Sequence, residues 1–272
     1  MTFPTFQTLQ IETRGGVATL WFNRPDTRNA FNETMIAELS AAFDALAAEA
    51  AVRVVVLAGR GSAFCAGADL NWMKKMSTYS YEQNLADATV LADMLYKLYN
   101  LPKPTVARVH GPAFAGGMGL VAACDIAVAS TEARFKLSEV LIGLTPATIS
   151  PYVMNALGER QSRRYFLTAE TFGAEDALKN GLVHECVAPE RLDETVNGFV
   201  SQLLAGGPAA MTMTKNLMRD VARAPLDGEL RALTARYIAE IRASSEGKEG
   251  IHSFLEKRKP AWVTTDKTAD KK

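Results

Sequence analysis

The sequence is poor in cysteine, poor in histidine and free of net charge. Its three cysteines in 272 residues, Cys65, Cys124 and Cys186, are odd in number, far apart and form no CxxC pair. That argues against a disulfide framework or a zinc ribbon and points to a reducing compartment. The three histidines, His110, His184 and His252, are well separated, HExxH is absent, and no carboxylate cluster has metal-ligand spacing. Each histidine is therefore read as structural or surface, and no metal is expected. Lys plus Arg number 30 against 30 Asp plus Glu. No overall field then draws the chain to nucleic acid or to an anionic membrane, although a local basic patch stays open. No stretch approaches the roughly 18 uninterrupted apolar residues of a spanning helix, and the start MTFPTFQTLQ lacks a basic region followed by an apolar run. A cytoplasmic protein without a membrane partner is expected.

Several reactive motifs are missing as well. The turn after Val54 to Ala58 lacks the G-K-[ST] ending of a P-loop, no G-x-G-x-x-G stands in the required context, and G-x-S-x-G is absent. Ser62 has no obvious histidine partner. Nucleotide binding and covalent serine catalysis are disfavoured.

What is present is an ordinary globular composition, 48% apolar and 22% charged. At this length about three quarters of the unfolded surface can be buried, enough for one large core and a smaller appended part. Val17 to Phe22 reads as a strand closed by Asn23-Arg24-Pro25. Glu33 to Ala50 carries Met35, Ile36, Leu39, Phe43 and Leu46 at helical intervals, and Arg53 to Ala58 reads as a buried strand. That order favours parallel pairing through a helical crossover, hence an α/β class. The pattern continues with a helix near Leu85 to Tyr99, a strand at Thr105 to Val109, a short helix from about Gly117, and strands at Asp125 to Ser130 and Arg134 to Leu137. After Gly181-Leu182-Val183 the β signal fades. Leu192 to Leu204, Ala209 to Val221 and Leu226 to Ala243 read as amphipathic helices. The expected organisation is an α/β core over 1–190, a helical subdomain over 191–263, and a disordered tail over 264–272.

Two buried strands run into similar turns, one through Gly61-Ser62-Ala63-Phe64 to Gly67-Ala68-Asp69, the other through Gly111-Pro112-Ala113-Phe114 to Gly116-Gly117. Small residues let a ligand approach main-chain N–H groups, and a helix starting there offers unpaired donors. Tight packing of loops is the plain alternative for either turn alone. As a pair they suit a carbonyl oxygen that becomes an oxyanion, because preorganised dipoles favour developing charge over the neutral ground state. An acid or base is then needed near the adjacent carbon. Glu139 lies among apolar neighbours that would raise its pKa, although a surface carboxylate or ion-pair partner fits the same residues. Asp69 reads first as a helix N-cap. Trp72, Met73 and Met76, at helical spacing after the first turn, fit core packing or an acyl pocket. Asp125 has no evident role.

From Val17 to Trp262 the chain resembles the enoyl-CoA hydratase/isomerase (crotonase) superfamily. The likeness rests on Asn23-Arg24-Pro25 with Asn29-Ala30-Phe31, on Phe64 to Leu70, on Gly111 to Ile126, on Ser138 to Pro146 and on Phe254 to Arg258. It implies a core of repeated ββα units, a helical C-terminal trimerisation region and a homotrimer or dimer of trimers. It also implies an acyl-CoA thioester substrate, with coenzyme A part of the substrate and no separate cofactor. By position, the Ala68 and Gly116 N–H groups would hold the thioester oxygen and Glu139 would be the catalytic glutamate. Arg24, Ala30, Ala66, Asp69 and Leu70 would line the coenzyme A path, with Phe254 and Lys257 near its adenine or phosphate end. Many hydratases of the family carry a second glutamate where this chain has Gly119, which is grouped here with the acyl pocket.

Three segments, Ala66 to Met73, Pro146 to Pro151 and Phe254 to Trp262, look most like bacterial methylglutaconyl-CoA and isohexenylglutaconyl-CoA hydratases. The resemblance therefore implies a hydratase for a 3-methylglutaconyl-CoA-type substrate, in leucine or acyclic terpene catabolism. A Δ3,Δ2-enoyl-CoA isomerase using the single glutamate is the alternative. An RNA-binding member of the superfamily, for which Lys74-Lys75 and Lys257-Arg258-Lys259 are the short basic groups, and an inactive member are the remaining readings.

Overall fold

A computed structural model describes residues 3–263. The tail over 264–272, expected to be disordered, lies outside the described residues. These fall into two compact units: the first runs to Leu101 and resumes over Thr105–Val200, and the second joins Pro102–Pro104 to the chain from Ser201 onward.

In the first unit β1 (Leu9–Arg14) and β2 (Val17–Phe22) form an antiparallel hairpin. Its two-residue turn, Gly15-Gly16, has φ of 57° and 82°, the left-handed conformation that matches the twist of the flanking strands and that glycine adopts without strain. Helix α1 (Glu33–Ala48) follows, opened by the Asn32 side chain accepting from the Met35 N–H, a cap contributing about 1 kcal/mol. Its Met35, Ile36, Leu39, Phe43 and Leu46 are buried, so the helical stripe faces the core. Next come β3 (Val54–Gly59), α2 (Leu70–Met76), α3 (Tyr81–Tyr99), β4 (Thr105–Val109), β5 (Ala113–Phe114) and α4 (Gly116–Ala123). After them run β6 (Ile126–Ser130), β7 (Arg134–Lys136), α5 (Ser150–Thr168), β8 (Phe172–Gly173), α6 (Ala174–Lys179) and β9 (Glu185–Val187). Helix α7 (Leu192–Ala205) follows these.

The main sheet has the order β1-β2-β3-β4-β6-β9, parallel from β2 onward. Every residue of β3 is buried, as expected for a strand covered on both faces. A smaller sheet, β5-β7-β8, pairs β5 parallel to β7. The strand expected at Arg134 thus belongs to this second sheet. The fading of β character after Val183 is corrected by β9, whose three residues add a short parallel edge beside β6; three residues are too few to show alternation. Helix α3 begins at Tyr81 rather than Leu85, because Ser80 and Gln83 form a reciprocal capping box. Asp125 fastens β4 to β6: its carboxylate accepts from the Thr105 N–H at 2.7 Å and the Thr105 hydroxyl at 2.9 Å.

The second unit contains α8 (Pro208–Val221), α9 (Gly228–Ala243) and α10 (Ser245–Leu255), with α9 and α10 each packed on α8 and on one another. Thr212 and Lys215 of α8 donate to the Pro102 and Lys103 carbonyls at 2.6 and 3.1 Å, which explains why that short segment belongs here. Glu246 accepts from the Ala209 and Ala210 N–H groups, satisfying donors that the start of α8 leaves free.

Candidate active site

The first turn is held by a residue inside the protein. Asn29 is fully buried with φ of 56°; its amide donates to the Arg60 and Ala63 carbonyls, each at 2.8 Å, and its Oδ1 accepts from the Arg24 N–H at 2.9 Å. Arg24 in turn donates to the Ala30 carbonyl and pairs with Asp69 at 2.8 Å. Asp69 is the N-cap of α2, accepting from the Asn71 N–H. Burial alone would raise its carboxyl, but the Arg24 guanidinium and the Asn71 and Trp72 N–H groups more than offset this and hold it below the usual range. The loop from β2 is thereby fastened to the end of the first turn, immediately after Ala68.

The second turn is stitched to the first. Cys65 donates to the Pro112 carbonyl at 3.1 Å and accepts from the Phe114 N–H at 2.9 Å, a parallel bridge between Cys65 and Ala113. His110 donates through Nε2 to the Gly61 carbonyl at 2.9 Å. Gly67, at φ of 94°, lies so near the second turn that a Cβ on it would stand 3.2 Å from Ala115 Cβ. Ala115 itself adopts φ of 47° and ψ of −118°, a conformation that costs an L-residue on the order of 1–3 kcal/mol, and it opens α4 at Gly116. Nothing in the sequence singles out Ala115 or the role of Asn29, since both depend on contacts made across the chain.

Two main-chain donors are available at these turns. Gly116 is the first residue of α4, so its N–H has no partner within the helix. The N–H groups flanking Ala68 are otherwise arranged: Phe31 donates to Gly67 and Asp69 donates to Phe31, while no described residue accepts from the Ala68 N–H. A Cβ on Gly116 would fall 2.4 Å from the Phe31 ring, so only glycine fits there.

Glu139 arrives from the other side. Because β5 and β7 are paired, with Phe114 opposite Lys136, the turn that follows β7 lies next to the start of α4. Glu139 opens a single helical turn there. Its Oε2 is buried without any hydrogen-bond partner. Burial pushes its carboxyl above the usual range, opposed in part by the N–H groups of Glu139 and Ser138.

Ala68, Gly116 and Glu139 line one cavity of about 440 Å³, together with Ala66, Trp72, Met73 and Met76. Thr145 to Ile149 close another wall, and Asn84, Asp87, Ala88 and Leu91 of α3 complete it. The face of α3 was missed in the sequence, although its three- and four-residue spacing is visible once a pocket is sought. Gly119 needs correction as a lining residue: a Cβ there would lie 2.3 Å from Ile149 Cγ2, and Ile149 forms the wall. Arg24, Ala30 and Asp69 form the bonded cluster beside Ala68 and do not line the cavity, and the Leu70 side chain points outward, 81% exposed. Phe254 and Lys257 belong to the second unit, where Phe254 is 82% exposed. Among the described residues no group of three His, Cys, Asp or Glu is placed to hold a metal ion, and no helix is long and apolar enough to cross a membrane.

The sequence pattern of the family described as enoyl-CoA hydratase/isomerase matches residues 12–265. A solved enoyl-CoA hydratase from Shewanella pealeana is 42% identical, with a TM-score of 0.92 over 94% of this chain and 96% of its own. The AtuE protein of Pseudomonas aeruginosa is 36% identical, with a TM-score of 0.91 over 95% of this chain and 100% of its own. The short-chain-enoyl-CoA hydratase of Clostridium acetobutylicum is 30% identical over 252 residues, 92% of this chain and 95% of its own.

Proposed function

The chain belongs to the enoyl-CoA hydratase/isomerase family, an enzyme family with the crotonase fold, and from that premise we propose that it adds water across the C2–C3 double bond of an enoyl-CoA thioester. The observation that carries this reading is the buried, unpartnered Glu139 Oε2 in a cavity that also presents Ala68 and Gly116. In the proposed reaction the thioester carbonyl accepts from the Ala68 and Gly116 N–H groups, which polarises C3. Glu139 takes a proton from a bound water, whose oxygen bonds to C3 while the double-bond electrons pass to the thioester as an enolate. The same carboxyl then returns its proton to C2. The enolate is where negative charge develops, and two fixed donors there interact more strongly with it than with the neutral carbonyl.

For the acyl group we favour the 3-methylglutaconyl type. Its support is the location of the segments that resemble those hydratases: Ala66, Gly67, Ala68, Trp72 and Met73 of one, and Pro146 to Ile149 of another, line the cavity. The coenzyme A part of the substrate replaces any separate cofactor. A homotrimer or dimer of trimers belongs to the same proposal, and the exposed apolar Phe254 and Leu226 of the second unit suit such an interface.

The experiment is turnover of crotonyl-CoA and 3-methylglutaconyl-CoA in water enriched in oxygen-18. Label in a 3-hydroxyacyl product is expected. A shifted double bond without label would replace hydration by isomerisation, a reading favoured by Gly119, which leaves Glu139 without the second glutamate that many hydratases of the family carry.

A further inference from the structure

The cavity carries a carboxyl group that the proposed reaction does not use. Asp87 lines it from α3, on the face that also presents Asn84, Ala88 and Leu91. No Lys, Arg or His is among the described residues that line it. Asp87 Oδ1 accepts from the Trp72 indole N–H at 3.1 Å, and no cation pairs with Asp87 among the described residues.

The surroundings of Asp87 disfavour a second negative charge. On α1, Glu33 acts on it as a like charge, and Glu33 is itself paired with Lys75 of α2 at 2.8 Å. Helix α4, which packs on α3, is GGMGLVAA and brings no titratable side chain. Glu139 lines the same cavity. Burial foremost, and then Glu33, push the Asp87 carboxyl above the usual carboxylate range, with the Trp72 N–H opposing them.

We propose that Asp87 determines how this cavity accepts acyl groups bearing their own carboxylate: such a group binds beside Asp87 together with one proton from solvent, shared between the two carboxyls. The inference rests on the cavity holding the acyl chain, as proposed above. Two carboxylates confined together without a cation do not both stay ionised; one retains a proton and donates it to the other. An uncharged acyl group takes up no such proton. Affinity for a carboxylated acyl chain therefore falls as pH rises between the Asp87 pKa of the free protein and that of the complex, up to tenfold per pH unit.

The test compares glutaryl-CoA with butyryl-CoA, saturated thioesters that share every titratable group of coenzyme A. Titration calorimetry in buffers of different ionisation enthalpy measures proton uptake on binding. Glutaryl-CoA is expected to take up about one proton more than butyryl-CoA, with an affinity relative to butyryl-CoA that declines from pH 6 to pH 8. In Asp87→Asn the extra uptake and the decline are expected to vanish, since an amide N–H donates to the carboxylate without titrating. Equal uptake by the two thioesters overturns the proposal, as does a pH dependence unchanged in Asp87→Asn or failure of glutaryl-CoA to bind where butyryl-CoA does. Hydration of crotonyl-CoA is read separately, so an inactive enzyme that still binds with linked protonation would count against the hydratase reading alone.

Discussion

Ile149 Cγ2 occupies the space into which a side chain on Gly119 would grow, 2.3 Å from the position of a Cβ there. Both residues are buried, one in α4 and the other at the start of α5. Gly119→Glu alone is therefore expected to lose about 1–3 kcal/mol of stability from overpacking, read as a lower urea midpoint. Combining it with Ile149→Ala should recover part of that loss, because the obstructing methyl is gone. A double variant no more stable than Gly119→Glu would show that Ile149 is not the obstacle.

Glu139→Gln is expected to lower kcat by about 10²–10⁴, since the amide cannot take a proton from water. The same variant should be more stable than the parent at neutral pH. A carboxyl whose folded pKa is raised binds its proton more tightly in the folded state, so its ionisation opposes folding as pH rises from the unfolded value through the folded one. Thermal unfolding at pH 5 and pH 8 measures this, with the gain expected at the higher pH. For the parent enzyme, kcat/KM should fall on acidification through a pKa above the usual carboxylate range, because the reaction needs the ionised form.

Ala68→Pro removes a backbone N–H that no described residue accepts, so the direct loss is the donor proposed for the thioester oxygen. A decrease in kcat of about 10²–10³ is expected, the usual consequence of deleting one oxyanion donor. Ala68→Ser keeps the N–H and serves as the reference. If the two variants turn over at equal rates, the Ala68 amide has no part in stabilising the enolate.

Ala115 holds φ of 47° with an L side chain. Ala115→Gly relieves that conformation while adding freedom to the unfolded chain, so a modest gain, on the order of 1 kcal/mol, is expected. Ala115→Val should be destabilising, since a β-branched residue tolerates this conformation least. A melting temperature ordered Gly, Ala, Val from high to low bears out the strain.

The elements legible in the sequence were those with strong local signals. Val17 to Phe22 and Thr105 to Val109 match β2 and β4 residue for residue, because both are rich in β-branched or aromatic residues and follow a Gly or Pro, β2 burying alternate residues and β4 nearly all. Hairpin strand β1 was not legible: LQIETR is mostly exposed and is fixed by pairing with β2. At the site, the two small-residue turns and Glu139 could be singled out because each carries its own chemical signal. The α3 wall could not, since Asp87 and Asn84 on an exposed helix look like ordinary solvated residues until the fold brings Asp87 against Trp72 and both into the cavity wall. Gly119 illustrates the opposite error: a chain position suggested a cavity contact, and the packing of Ile149 removed it.

The bridge between Cys65 and Ala113 joins the two turns through main-chain hydrogen bonds rather than through side chains. The relative placement of the two turns that carry the proposed donors, Ala68 and Gly116, is thus set in part by main-chain pairing, which an exchange of side chain at Cys65 or Ala113 leaves in place. Diversification of this scaffold toward new thioesters is accordingly channelled into its helical walls, where α2, α3 and the approach to α5 line the cavity and can change while the paired turns stay constant.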